Sequence, residues 1–394
     1  MTYQESVAEL AHALAGQSDA CAISALDLVV RRFVFTSDNV HGAHDGVRTP
    51  GRTSDWEEEG REDVADAEIA ENRTWWYEML APPGAEAADG VIIMLHGLNE
   101  RSWAKYHPWA ADLVRRTGKT VVLWPIAFHM QRSPASWSHP RRMSAVLRRR
   151  QDTHPGLSDA SHANAALSAR LESDPARFFW SGLQSCDDVM QLVRTIRAGG
   201  HPAIAADATL DLFGYSIGAS IAQLLLLANP EALFSDARAL LFCGGATLER
   251  SCLRSRYILD SAAVDALHTC YLRDLDAQCV RDAHFRRHLH ERDAGRWFRA
   301  MLDSAGLREQ REGGFRRLVG KLCAVALVQD QVVPAEAVRH TLQGEGGDIP
   351  HPVHILDFPF PYSHIAPFSA NPKHAAEADE AFRAVFDLAG RHLS

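Results

Sequence analysis

The run Asp211-Leu212-Phe213-Gly214-Tyr215-Ser216-Ile217-Gly218-Ala219-Ser220 follows an apolar stretch and leads into Ile221, Leu224, Leu225 and Ala228 at helical spacing. An apolar run that gives way to a 3.6-residue period spells strand, sharp turn and helix. A serine at such a turn takes a strained backbone conformation that pushes its hydroxyl out of the sheet. The residues two before and two after it must be small, because strand and helix nearly touch there. Gly214 and Gly218 meet that demand, and Gly-x-Ser-x-Gly occurs once in the chain. Ser216 is therefore a candidate nucleophile, set against the plainer reading of an ordinary strand-to-helix turn. A serine hydroxyl needs help from a base, an acid and an oxyanion hole, which must come from elsewhere in the chain.

On the N-terminal side, Gly90-Val91-Ile92-Ile93-Met94-Leu95-His96-Gly97 is a continuous apolar run of the kind found in a parallel strand buried on both faces. A helix about Trp109, Leu113 and Val114 leads to a second such strand, Thr120 to Ile126. Earlier, a helix carries Val7, Leu10, Ala11 and Leu14 on one face, and the runs Leu26–Phe35 and Trp75–Leu80 pair as opening antiparallel strands. Between those strands, the polar stretch from Thr36 to about Glu71 reads as a mobile surface loop.

On the C-terminal side, strands at Ala239–Cys243, Leu322–Val328 and Val353–Phe358 alternate with helices, the last carrying Phe382, Val385, Phe386 and Ala389. A helix with Val189, Leu192, Val193 and Ile196 on one face precedes the Ser216 strand. Two segments interrupt the alternation. Residues 128–180 contain prolines at 134, 140, 155 and 175 and no clear strand. Residues 245–320 are mainly helical, with Val264, Leu267, Tyr271 and Leu275 at helical spacing. The expected organisation is an N-terminal part, 1–71 (helix, first strand and polar loop), and a single α/β domain, 72–394, with these two insertions.

The strand Leu322–Val328 ends in Gln329-Asp330-Gln331, and the last strand leads into Pro361-Tyr362-Ser363-His364. Ser216, Asp330 and His364 thus follow one another at the ends of successive strand units. In this order the chain resembles the α/β-hydrolase superfamily, over roughly residues 75–127, 182–245 and 321–392. The resemblance implies a mostly parallel sheet with helices on both faces, with the insertions standing where caps or lids occur. It also implies that Ser216 is the nucleophile, His364 the base and Asp330 the acid. The His96-Gly97-Leu98 turn matches as well, and the resemblance assigns the oxyanion hole to the backbone N–H groups of Leu98 and Ile217. For the acid, the previous strand offers only Cys243-Gly244-Gly245-Ala246. For the base, His351 and His354 precede or lie within the last strand, and Asp357 reads as a structural or edge charge inside it.

The implied activity is a serine esterase acting through an acyl-enzyme on a small-molecule ester or related thioester or lactone, with no cofactor and no metal. An acyltransferase or cyclase on the same fold, or a binding protein without turnover, remains open at this stage. The net charge of −9 argues against nucleic-acid partners and anionic membranes. No apolar run is long enough to span a bilayer. The N-terminus lacks the features of a signal peptide, and seven scattered cysteines fit no disulfide or zinc framework; they are expected to be reduced and mostly buried, in a cytoplasmic protein. Oligomeric state is not legible. Gly118-Lys119-Thr120 imitates the end of a phosphate loop but opens a strand. His284, His288 and His290 read as a solvated helix face. Arginines 132, 141, 142, 148, 149 and 150, in a stretch without acids, read as cap surface or, alternatively, as a clamp for an anionic substrate.

Overall fold

The computed structural model describes residues 2–15, 20–39, 66–84 and 86–394, so most of the polar stretch predicted between Thr36 and Glu71 lies outside the described residues. The chain begins with α1 (Tyr3–Ala13), closed by a capping box in which the Thr2 hydroxyl accepts from the Glu5 N–H while the Glu5 carboxylate accepts from the Thr2 N–H. Strands β1 (Ala20–Ile23), β2 (Leu28–Thr36) and β3 (Thr74–Ala81) follow, then β4 (Ala88–Leu95), α2 (His107–Thr117) and β5 (Thr120–Trp124). The first interrupted segment carries α3 (Pro140–Thr153) and α4 (Ala165–Ser173). The long helix α5 (Ala176–Arg197) then leads into β6 (Ile204–Tyr215) and α6 (Ile217–Ala228), and β7 (Ala239–Phe242) closes this half.

The second interrupted segment is a set of short helices: α7 (Ser261–His268), α8 (Leu275–Arg281), α9 (Ala283–Glu291), α10 (Asp293–Ala300) and α11 (Arg308–Arg317). The helical spacing of Val264 to Leu275 is broken by a π-turn at Thr269–Arg273, so these residues do not share one continuous helix. The chain ends with β8 (Leu322–Leu327), α12 (Ala335–Gln343), β9 (Val353–Leu356) and α13 (Ala375–Leu393).

Among the described residues the strands form one nine-stranded sheet in the order β1-β2-β3-β5-β4-β6-β7-β8-β9. The β1/β2, β2/β3 and β3/β5 pairings are antiparallel, and all others are parallel. The protein is thus mixed α/β with a mostly parallel sheet. Alternation along β4 explains the layering. Val91, Ile93 and Leu95 face a core completed by Leu183 and Val189 of α5 and Ile221 and Leu225 of α6. Ile92 and Met94 face the opposite core, with Trp109 of α2 and Phe382 and Phe386 of α13. No helix among the described residues is long and apolar enough to cross a membrane.

Two sequence expectations are corrected in detail. β1 was not foreseen, because Ala20-Cys21-Ala22-Ile23 has no alternation of its own; it becomes a strand by pairing with β2 across a turn in which Asp27 takes φ 53°. β9 stops at Leu356, so Asp357 lies past the strand and not inside it, where its carboxylate accepts from the Tyr362 hydroxyl at 2.6 Å. Helix α5 begins at Ala176 and runs without interruption to Arg197.

The described part of the N-terminal stretch is tied to the sheet by a buried ion pair. Arg132 and Asp188, both without solvent exposure, meet at 2.7 Å; Arg132 also donates to Asn72 Oδ1 at 3.0 Å and lies 3.7 Å from the centre of the Trp75 ring. Asp188 accepts from Ser37 and Asn39. Burial raises the Asp188 carboxyl and lowers the Arg132 guanidinium, in each case against the pull of the partner. Desolvation therefore outweighs attraction, and breaking the pair leaves a bare charge inside. Arg132→Met is expected to lower stability by about 3–5 kcal/mol, and the double variant Arg132→Met with Asp188→Leu to lose less than Arg132→Met alone, as read from denaturant unfolding.

Candidate active site

Ser216 sits between β6 and α6 with φ 56° and ψ −120°, outside the regions that side chains prefer. Its N–H donates to the Phe242 carbonyl at 3.0 Å, and its own carbonyl accepts from Ala219 N–H at 3.0 Å. The turn is this tight only because its neighbours lack side chains. A Cβ on Gly214 would lie 2.5 Å from Ala219 Cα, one on Gly218 would run into the Leu95 carbonyl, and one on Gly244 would meet the Ser216 carbonyl oxygen at 2.6 Å.

The loop after β9 brings His364 to this turn. Its Nε2 lies 2.8 Å from Ser216 Oγ, and its Nδ1 lies 2.7 Å from Asp330 Oδ2. A carboxylate only accepts, so Nδ1 carries the proton and Nε2 is left to accept from the serine hydroxyl. The other Asp330 oxygen accepts from the Val332 and Val333 N–H groups, each at 2.9 Å, in the turn after β8. All three side chains are buried.

Leu98 and Ile217 line the same cavity as Ser216. Ile217 is the first residue of α6, where N–H groups have no acceptor within the helix and the helix dipole favours negative charge. The turn before Leu98 is braced from both sides. His96 Nδ1 donates to the Gly97 carbonyl at 2.8 Å, and its Nε2 accepts from Ile126 N–H at 3.0 Å. Gly97 N–H in turn donates to the Tyr106 hydroxyl at 2.9 Å.

Sequence reasoning did not single out the residues that hold the His364 loop. The Tyr215 hydroxyl donates to the His364 carbonyl, and its ring stacks on the imidazole with centroids 5.5 Å apart. Lys105, paired with Glu100, lies over the Tyr215 ring at 4.6 Å and donates to the Ile365 carbonyl at 3.3 Å. Tyr215 stands within the quoted turn itself, yet nothing local marks it as a partner for a residue 149 positions away. Burial raises its hydroxyl pKa well above the usual range, so it stays a donor. Cys243, at the end of β7, has its thiol pKa raised by burial and then by the nearby Asp330 charge, so it is not a competing nucleophile.

The cavity beside Ser216 has a volume of about 100 Å³ and is mostly apolar. Both interrupted segments contribute to it, through His129 on one side and Leu248, Leu253, Phe298 and Met301 on the other, and α5 adds Phe178. None of the six arginines singled out in the sequence lines it. Arg132 and Arg150 are buried in ion pairs, the latter bidentate to Asp260 at 2.6 Å, while Arg141, Arg142 and Arg148 are exposed. The acids that answer this basic run, Asp188, Glu172 and Asp260, lie outside it, so it is neither wholly solvated surface nor an anion clamp in the cavity. His284 and His288 are likewise less solvated than their spacing suggests, since both rings pack on Trp180 at 5.2 Å. Gly118 ends α2 in the left-handed conformation, φ 70°, and Lys119 pairs with Asp211 at 2.6 Å, which accounts for the phosphate-loop imitation. All seven cysteines are free, five of them buried.

Two histidines near the cavity are kept neutral. Burial lowers the His96 pKa well below the usual value, with help from His129 and nearby cations. Burial, followed by Arg101, Arg132 and Arg170, brings His129 down to about 4. In the unfolded chain each takes up a proton near pH 6.5, which the folded protein refuses. The stability this confers is therefore complete above pH 6.5 and is lost as pH falls toward 4, by about 3 kcal/mol for His129. Urea midpoints at pH 7, 5.5 and 4.5 are expected to fall, and to fall less steeply in His129→Gln.

Comparison with known proteins places this geometry in context. A thermostable esterase from Pseudomonas putida ECU1011 aligns with 100% of this chain and 91% of its own, at 13% identity and a TM-score of 0.46. An esterase from Rhizomucor miehei aligns with 100% and 88%, at 13% identity and 0.46. Carboxyl esterase 2 from Tuber melanosporum aligns with 81% of each chain, at 11% identity and 0.40. No curated protein matches the sequence. The sequence model of one family matches residues 1–394 in full, and the chain belongs to that family, DUF6051, a family of unknown function.

Proposed function

We propose that the chain is a serine hydrolase of α/β-hydrolase architecture that cleaves a carboxylic ester or a related thioester or lactone. The observation that carries this reading is His364 standing between Ser216 and Asp330 at 2.8 and 2.7 Å, with Ser216 on a strained turn. In the proposed reaction Ser216 Oγ attacks the ester carbonyl carbon and its proton passes to His364 Nε2. The carbonyl oxygen becomes an oxyanion, for which the N–H groups of Leu98 and Ile217 are the proposed donors. Collapse expels the alcohol, which takes the proton from Nε2 and leaves an acyl-serine. A water then gives its proton to Nε2 and attacks the acyl carbon, and Ser216 regains a proton as the acid departs.

Asp330 supports this cycle by fixing the His364 tautomer and stabilising the imidazolium while remaining ionised. Its two backbone N–H bonds leave it little freedom to turn away. In this reading, residues 72–394 form the hydrolase domain, and the segments at 128–180 and 245–320 act as a cap that shields the acyl-enzyme.

Ser216→Ala and His364→Ala are each expected to lower kcat for an activated ester by roughly a million-fold, and Asp330→Asn by less, because the three groups act as a unit. A fluorophosphonate should label the wild type and not Ser216→Ala, as read by intact-protein mass spectrometry. Near-wild-type turnover in Ser216→Ala would refute the reading.

A further inference from the structure

The cavity beside Ser216 bears on which ester the protein takes. Its wall contains no Asp, Glu, Lys or Arg side chain among the described residues. Three of its hydroxyls are turned back onto the backbone: Ser181 donates to the Phe178 carbonyl at 3.2 Å, Ser185 to the Ser181 carbonyl at 2.7 Å and Ser251 to the Thr247 carbonyl at 3.0 Å. His129, also on the wall, has its Nδ1 held by the Ala127 carbonyl at 2.8 Å and stays neutral. A charged substrate group entering here would lose its hydration and find no counter-ion.

One residue of the wall is unexplained by folding. Gly182 lies in the interior of α5, where glycine weakens a helix relative to alanine. Its φ is not in the left-handed region, and a Cβ built on it would meet no atom within 4 Å. Gly214, Gly218 and Gly314 differ, since close neighbours forbid a side chain at each of them. Neither backbone conformation nor packing therefore requires glycine at 182. What the missing side chain leaves open is the cavity that the residue lines.

We propose that Gly182 is a specificity-determining residue that makes room for one uncharged aliphatic arm of the ester. The proposal rests on the reading of Ser216 as nucleophile and adds to it the substrate class. A cavity of about 100 Å³ is smaller than the roughly 150 Å³ that holds benzene, so the arm is short, about two to four carbons.

The test compares wild type, Gly182→Ala and Gly182→Leu on two series. One varies the acyl group (p-nitrophenyl acetate and butyrate), and the other varies the alcohol (ethyl and butyl acetate, followed by acid release). Gly182→Leu is expected to lower the long-to-short ratio of kcat/KM roughly tenfold or more in one series, through overpacking of the cavity. The series that responds identifies the arm that lies against Gly182. For the arm so identified, a terminal carboxylate is expected to lower wild-type kcat/KM at least about a hundredfold against the uncharged ester of the same length (p-nitrophenyl succinate against butyrate, or the acetate ester of 4-hydroxybutyrate against butyl acetate), because the carboxylate would be buried without a partner. Gly182→Ala should raise the thermal unfolding midpoint, which a glycine required by packing would not do. Unchanged ratios in both series, a carboxylate ester turned over as well as its uncharged counterpart in the responding series, or a lowered midpoint in Gly182→Ala would each overturn the proposal. If turnover is abolished in Ser216→Ala while the Gly182 ratios stay fixed, the role of Gly182 alone falls; if Ser216→Ala keeps wild-type turnover, the nucleophile reading falls and the proposal with it.

Discussion

The crossing of β6 into α6 is the constraint on which the site depends. There the backbone packs so closely that Gly214 presses on Ala219, Gly218 on the end of β4 and Gly244 on Ser216 itself. This contact has two results. It holds Ser216 at φ 56°, so that its hydroxyl leaves the sheet instead of joining a core. It also sets the end of β4 against the first turn of α6, which brings the His96-Gly97-Leu98 turn beside Ser216. A single close approach thereby positions the serine together with the two backbone segments from which N–H donors are proposed.

Around that contact, precision comes from groups that are buried and fully engaged. His364 is held through its backbone as well as its ring: Tyr215 takes its carbonyl, and Lys105 takes the carbonyl of Ile365. A loop held only by its imidazole would lose that geometry whenever the ring rotated, whereas backbone bonds fix the position from which the ring projects. Farther out, Arg132 with Asp188 and Arg150 with Asp260 pin the interrupted segment at 128–180 to α5 and to the segment beyond β7. Such buried pairs add little net stability. Removing one partner is costly, though, so they favour one docking of these segments over others.

The strands and most helices were legible because their signals are local. A buried parallel strand is a run such as Val91 to Leu95, and a turn between strand and helix leaves its mark in Gly214 and Gly218. Asp330 and His364 could be picked out because each follows a strand, and strand ends gather at one edge of a parallel sheet. The signals failed where structure is made by a partner. β1 exists through its pairing with β2, the π-turn at Thr269–Arg273 interrupts a regular helical spacing, and the basic run finds its acids in Asp188, Glu172 and Asp260. Trp180 covers two histidines that look solvated in sequence.

By itself, then, the sequence determined the order of elements, the strained serine turn and the short set of residues from which a site could be drawn, since hydrophobic period and glycine placement act over a few residues. Only the tertiary structure decided that Ser216, His364 and Asp330 lie within hydrogen-bond reach, that Tyr215 and Lys105 hold the histidine loop, and that the cavity wall is uncharged and open at Gly182. The physical reason is distance along the chain. Ser216 and His364 are 148 residues apart, and no local propensity encodes a 2.8 Å contact across that interval. The contact follows from how the strands order themselves, how the helices cover both faces and which charges must be buried together.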